Sequence, residues 1–138
     1  MSPDRPGRPA RRRRAAARLA LAAAWPLVRF SPTRIQRVLA LLRYGARPAG
    51  ALQAAAARDA VVSVSAKCAA GRGCLLRSLA TVLLCRMGGA WPTWCTGVRT
   101  DPFRAHAWVE AEGAPVGEPE EVSLYHKVIT VPARPRAH

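Results

Sequence analysis

A cysteine, a histidine and a carboxylate follow one another along this 138-residue chain in an order that suits acyl transfer. Cys74 comes directly after Gly73, at the start of an apolar helical run. The first N–H groups of a helix are unpaired and carry partial positive charge, which favours a thiolate. His106 and Glu118 follow. In a triad of this kind the acid orients the imidazole, the imidazole takes the thiol proton, and the thiolate attacks a carbonyl carbon.

The stretch FRAHAWVEA (103–111) reads as a strand, and its alternation predicts where His106 points. His106 shares one face with Trp108 and Glu110, because side chains alternate between the two faces of a strand. The other face is an apolar stripe that we expect to face the core: Phe103, Ala105, Ala107, Val109 and Ala111. His106 is therefore predicted to lie off the core stripe, with Trp108 beside it as a wall of the site.

A hairpin after this strand would bring Glu118 to the histidine. A three-residue loop over 111–113 places Gly113 in the left-handed conformation that such loops favour. In that register His106 pairs with Glu118, with the two Cβ atoms about 5 Å apart on the same face. Glu118 then accepts a hydrogen bond from one imidazole nitrogen, and the other faces the thiol. A two-residue loop would break this pairing.

Helical patterns fill the first two thirds of the chain and strand patterns the last third. A helix is predicted within 11–28 up to Pro26, and another after Ser31, which is a good N-cap. Two more helices are predicted over 51–67 and 74–89, and residues 47–50, before the first of these, read as a linker. Strands are predicted at 94–100, 103–111, 114–118 and 126–131. This order predicts an α+β fold in which a central cysteine-bearing helix packs on an antiparallel sheet.

The positive charge is concentrated at the N-terminus. Residues 1–47 hold twelve arginines against one aspartate, so most of the net charge of +14 lies there. No aromatic residues interleave with the arginines of residues 1–18, which favours a solvated basic tail over a nucleic-acid partner. We therefore divide the chain into a disordered basic segment (1–18), a helical region (19–50) and a catalytic core (51–138).

The four cysteines, which form no C-x-x-C pair, are not spaced as metal ligands. Cys85 and Cys95 are predicted to be core residues and Cys68 a loop thiol, all reduced, as in a cytoplasmic protein. The run LALAAAWPLV (19–28) imitates a signal peptide, but no small-residue cleavage site follows it. Ten apolar residues are also too few to cross a bilayer, so no stable membrane insertion is expected.

Two motifs resemble a known family: CLLRSLATVLLCRMGG (74–89) and GVRTDPFRAHAWVEAEGAPVGE (97–118). They are similar to the leader peptidase of lasso-peptide biosynthesis, the stand-alone transglutaminase-like half of the split B protein. The resemblance covers roughly residues 58–120 and implies a transglutaminase/papain-like core. Carried over by motif, Cys74 is the nucleophile, His106 the base and Glu118 the acid. The family usually has aspartate at the acid position, so Asp101, Glu110 and Glu120 are alternatives, and His126 is an alternative base.

The resemblance implies that the protein removes the leader from a ribosomally synthesised precursor peptide. In the family, a small leader-recognition protein delivers this precursor, and a separate ATP-using macrolactam-forming cyclase closes the released core. The chain has no glycine-rich phosphate loop, so we predict no cofactor. Two other functions are open: transfer of the acyl group to an amine by the same three residues, and a non-enzymatic role as a basic binding protein.

Overall fold

Helices precede the strands of the four-stranded sheet in the computed structural model, which describes residues 11–65, 73–100, 103–117 and 122–133. The helices in these ranges are α1 (Arg11–Leu27), α2 (Pro32–Leu42), α3 (Ala51–Val64) and α4 (Cys74–Met87). The strands are β1 (Arg47–Pro48), β2 (Ala90–Trp91), β3 (Thr93–Arg99), β4 (Arg104–Ala111), β5 (Ala114–Pro115) and β6 (His126–Val131). The prediction of an α+β fold with an antiparallel sheet is confirmed.

The sheet positions the histidine strand next to its centre. Its strand order is β5-β4-β3-β6, with all neighbours antiparallel. The register between β3 and β4 places Gly97 opposite His106 and Cys95 opposite Trp108. A separate parallel pair joins β1 to β2, so Arg47–Pro48 is paired backbone rather than a free linker.

Helix α4 covers one face of the sheet and is the most buried helix. Leu79, Ala80 and Val82 are fully buried, as expected for the central helix. They pack in one cluster with Trp94 of β3 and Val109 of β4. α1 and α3 flank α4, so the cysteine-bearing helix is enclosed by helices on one side and by the sheet on the other.

The other face of the sheet carries a second, smaller cluster. It consists of Cys95, Trp108 and Tyr125, with Val122 packed against it. Tyr125 follows a short 3-10 turn at Val122–Leu124 and leads into β6. Both faces of β4 are therefore covered, and His106 is buried although it lies off the core stripe.

The predicted core stripe of β4 is right at its end and wrong at its beginning. Ala107, Val109 and Ala111 are buried, but Phe103 is 69% exposed and Ala105 is also exposed. The reason is the starting point of α4, which begins beside Ala107 and leaves the earlier residues of the strand without a covering helix.

The predicted hairpin register is wrong. Glu110 pairs with Pro115, and Glu112–Gly113 form a two-residue loop in which both residues have positive φ (54° and 81°). The left-handed conformation of Glu112 is stabilised from outside the hairpin, because its Oε2 accepts a hydrogen bond of 2.7 Å from the N–H of Ala51. Gly50, the N-cap of α3, has no side chain for this task, so Glu112 caps α3 instead.

The N-terminal boundary also differs from the prediction. Residues 11–18, assigned to the disordered basic segment, are the first turns of α1, and Ala17 is fully buried. Small alanines at 17, 20 and 24 make a narrow face that packs closely on α4. The following helix begins as predicted, with Ser31 as N-cap accepting from Arg34 N–H. None of the helices in the described ranges is both long and apolar enough to cross a membrane.

Candidate active site

Cys74 is the first residue of α4 and is half-buried. Its helix begins with the hydrogen bond from Arg77 N–H to the carbonyl of Gly73, 2.8 Å long. Gly73 has no side chain that could cap the first-turn N–H groups. These groups point out of the helix end, where the thiol stands, so the start of α4 offers donors for negative charge.

The sulfur lies at the outer edge of β4. Val116 N–H donates to the carbonyl of Val109, so Val109 turns its backbone groups toward β5 and away from β3. Alternate residues of an antiparallel strand do the same, which directs the Ala107 N–H to this outer edge. β5 and the residue after it cover this edge of β4 only as far as Val109, so the edge beside Ala107 is open. Cys74 lies at this open edge, and the Ala107 N–H donates a hydrogen bond to its sulfur.

The surroundings of Cys74 favour its thiolate. Burial by itself raises the pKa of the thiol, but a hydrogen bond with the His106 side chain and one from Ala107 lower it. The positive charges of His106 and Arg77 act in the same direction, and the pKa is lowered from the ordinary value of 9.0. Burial raises the pKa of Cys85 to about 12 and that of Cys95 to about 11, so these two buried cysteines are inert thiols.

Aromatic rings hold the imidazole of His106. The Trp108 indole stacks on it, with 5.6 Å between ring centroids and 19° between planes. Tyr125 packs against it from another side at 5.5 Å, tilted by 41°. The guanidinium of Arg99 lies over the Tyr125 ring, 5.9 Å from its centroid. The imidazole is therefore held between the Trp108 and Tyr125 rings and is directed at Cys74.

The hydrogen bond between Trp94 and Ser78 fixes α4 on the sheet. The Trp94 Nε1–H donates to the Ser78 hydroxyl at 3.0 Å, one helical turn after Cys74. Ser78 in turn donates to the carbonyl of Leu75 at 3.0 Å. Both Trp94 and Ser78 are buried, so this contact sets the height of the helix start relative to β4.

Cys74 and His106 line a cleft of about 420 Å³. The cleft lies over the part of the sheet that α4 leaves uncovered, where Thr96, Val98 and Ala105 form its floor. Residues Phe30, Pro32 and Ile35 from the start of α2 form its opposite wall. A larger cavity of about 980 Å³ lies at the other end of α4, next to Met87 and roughly 20 Å from Cys74 along the helix.

A family model of the transglutaminase-like superfamily matches residues 9–130, which is all but the first eight and the last eight residues. The chain belongs to the transglutaminase-like superfamily. No curated protein and no solved structure matches the chain.

Two of the three predicted triad members meet in this transglutaminase-like core: Cys74 and His106. Glu118 lies outside the described residues, as do Asp101 and Glu120. The observed hairpin register removes the reason for pairing Glu118 with His106, so the acid remains a prediction without that support. Glu110, the remaining alternative, accepts from Trp108 Nε1–H at 2.9 Å and pairs with Lys127. It is about 13 Å from His106 along the strand and does not orient the imidazole.

The other candidate residues lie away from the thiol. His126 is exposed at the start of β6, and the whole of β3 separates it from the edge of β4 where Cys74 lies. Cys85 and Cys95 are buried, as predicted, and Cys68 falls outside the described ranges. Among the described residues, no group of three potential ligands is arranged to hold a metal ion.

Three residues that contribute to the site were missed by sequence reasoning. Tyr125 packs on the imidazole from a distant segment, and no local pattern points to it. Arg77, buried one turn into α4, lowers the pKa of Cys74 and was identifiable from its i+3 spacing. Trp94 lies opposite Val109 and therefore shares a face of the sheet with Ala107, which marks it as a partner of α4.

Proposed function

We propose that this protein is a cysteine peptidase with Cys74 as nucleophile and His106 as base. The observation that carries the proposal is the hydrogen bond between the two side chains at the start of a buried helix. The same site has a thiol with a lowered pKa, a positioned imidazole and an adjacent cleft, which are the requirements of nucleophilic catalysis at a carbonyl.

The geometry supports the following sequence of steps. The Cys74 thiolate attacks the carbonyl carbon of the peptide bond, and N–H groups at the start of α4 stabilise the oxyanion. His106 gives its proton to the leaving nitrogen as the C–N bond breaks, which leaves a thioester on Cys74. His106 then takes a proton from water as the water oxygen attacks the thioester carbon. The C–S bond breaks, the carboxylic acid product is released, and His106 returns the proton to the Cys74 sulfur. An acid such as Glu118 would stabilise the imidazolium.

The substrate we propose is the leader region of a ribosomally synthesised lasso precursor peptide. This rests on the motifs of α4 and β4, CLLRSLA and AHAWVE, which resemble the leader peptidases of lasso biosynthesis. The superfamily is consistent with it, because cysteine peptidases are common there. On the same basis, we propose a small leader-recognition protein and a macrolactam-forming cyclase as partners, and a cytoplasmic location.

The test uses the purified protein, the precursor encoded nearest to it and the candidate leader-recognition protein. Precursor mass is followed by mass spectrometry for the wild type, Cys74→Ala and Cys85→Ala. We expect separate leader and core masses from the wild type and from Cys85→Ala, a matched control that removes a buried thiol outside the cleft. Cys74→Ala should leave the precursor intact.

Other outcomes would contradict the proposal in distinct ways. A gain in precursor mass would identify acyl transfer to an amine, with the same nucleophile but another acceptor. Cleavage that survives in Cys74→Ala would exclude Cys74 as the nucleophile. An intact precursor in every sample, with the recognition protein shown to bind it, would exclude the peptidase function.

A further inference from the structure

The cleft beside Cys74 is the uncovered end of the apolar face of the sheet. α4 begins beside Ala107, so the residues of β3 and β4 beyond that point keep their apolar side chains but have no helix above them. The start of α2 stands opposite, and its Ile35 is buried while Phe30 is 39% exposed at the rim. The result is a slot with the nucleophile at its inner end.

The walls of this slot are almost entirely apolar. Besides Cys74 and His106, no lining residue carries a titratable side chain, and Thr96 supplies the one further hydroxyl among the described lining. The apolar lining includes Phe30, Ile35, Trp94, Val98, Val128 and Ile129. A charged side chain placed here would lose its hydration and find no opposite charge apart from the Cys74–His106 pair, whereas an apolar one would be removed from water.

We propose that the slot binds a bulky apolar side chain of the peptide substrate, within two residues of the carbonyl that Cys74 attacks. This inference rests on the proposed function, because the slot matters only if Cys74 attacks a peptide. The slot is open to solvent at Ala105 and Val128, both exposed, so the peptide backbone continues outward from there. The apolar side chain then holds the scissile carbonyl at the start of α4.

The test uses acetyl-dipeptidyl fluoromethyl ketones, which alkylate a thiolate with formation of an S–C bond and loss of fluoride. In each probe one residue is Gly and the other is Leu, Phe, Asp, Lys or Gly. The rate of Cys74 alkylation is followed by intact mass, with the modified cysteine located by peptide mapping. Iodoacetamide, which has no side chain, measures the reactivity of the thiolate alone.

We expect Leu or Phe at one of the two positions to react roughly 10- to 100-fold faster than Asp or Lys there. Ala105→Trp, which places an indole in the slot, should reduce the ratio of the Leu to the Gly probe to near one. Leu52→Trp is the matched control, since Leu52 is 88% exposed on α3, and it should keep the wild-type ratio.

Failure of this inference is separable from failure of the proposed function. Rapid labelling of Cys74 by iodoacetamide with equal rates for all peptide probes would overturn the apolar slot and leave the nucleophile intact. A preference that persists in Ala105→Trp would also overturn it, because the selective surface would lie elsewhere. If iodoacetamide does not modify Cys74 faster than an ordinary thiol, both proposals fail.

Discussion

Gly97 of β3 lies directly opposite His106 of β4, and the indole ring of Trp108 fills the space where a side chain on Gly97 would stand. A Cβ atom at this position would be 2.9 Å from the carbonyl oxygen of His126 and 3.0 Å from Cη2 of Trp108. The first of these is backbone and cannot yield easily. The glycine therefore admits the ring that stacks on the imidazole.

Gly97→Ala should lower both stability and thiol reactivity. The added methyl displaces either β6 or Trp108, at a cost of about 1–3 kcal/mol in the free energy of unfolding. Urea unfolding measures the first effect and iodoacetamide alkylation of Cys74 the second. Gly88→Ala is the matched control, with its nearest contact at 3.5 Å, and should change stability by about 0.5 kcal/mol or less. An unchanged Gly97→Ala protein would show that Trp108 does not need this space.

The rate of Cys74 alkylation should depend on pH in a way that reports the His106 contact. Because the pKa of Cys74 is lowered below 9.0, alkylation should reach half its maximum below pH 9.0. His106→Ala removes the hydrogen bond and the positive charge that lower this pKa, so the inflection should move to higher pH. Cys85 and Cys95, with pKa values raised to about 12 and about 11, should stay unmodified at pH 9.

The measurement uses a Cys68→Ser background and locates each modified cysteine by peptide mass. The lowered pKa of Cys74 also affects the stability of the fold. Its thiolate contributes fully to stability at pH values above the pKa of the unfolded thiol, and this contribution declines as the pH falls through the lower pKa of the folded state. The same inflection in wild type and His106→Ala would show that the imidazole does not act on the thiol.

The Trp94–Ser78 hydrogen bond should be measurable as a coupling energy. Trp94→Phe leaves the buried Ser78 hydroxyl without its donor, and Ser78→Ala leaves the indole N–H without its acceptor. A double-mutant cycle should give a coupling of about 0.5–1.5 kcal/mol from urea unfolding. Additive effects would mean that packing, rather than this hydrogen bond, seats α4 on the sheet.

Glu112 should stabilise the protein by capping α3 in spite of its left-handed backbone. Glu112→Ala keeps the positive φ and loses the cap, so it should cost about 1–2 kcal/mol. Glu112→Gly loses the same cap but relieves the backbone strain, and should be less damaging. Glu112→Gln retains an accepting oxygen and serves as the matched control. If the alanine variant unfolds at the wild-type urea concentration, the carboxylate does not cap α3.

The sequence predicts the elements of this fold better than their register. Ser31 and Cys74 mark helix starts that the structure confirms, because caps and apolar periodicity act within a few residues. The hairpin loop depended on a contact between Glu112 and Ala51, 61 residues apart, which no local pattern contains. The exposure of Phe103 likewise follows from where α4 begins over the sheet, a property of the assembled layers.

At the site, Cys74 and His106 were predictable because each stands in a position with its own local signal, a helix start and a strand face. Tyr125 was not, since it reaches the imidazole through the fold of the segment 122–131 across β3. The variants of Cys74 and His106 described above test two members of the predicted triad, and the assignment of Glu118 stays a prediction.

The two clusters that bury the faces of β4 share the last segment of the described chain. Tyr125 belongs to the smaller cluster, which holds the imidazole, and the buried Val131 belongs to the larger one, which holds the cysteine-bearing helix. The carbonyl of Val131 also accepts from Trp91 Nε1–H at 3.2 Å. Detachment of β6 would therefore loosen both clusters together, and loss of thiol reactivity should coincide with unfolding rather than precede it.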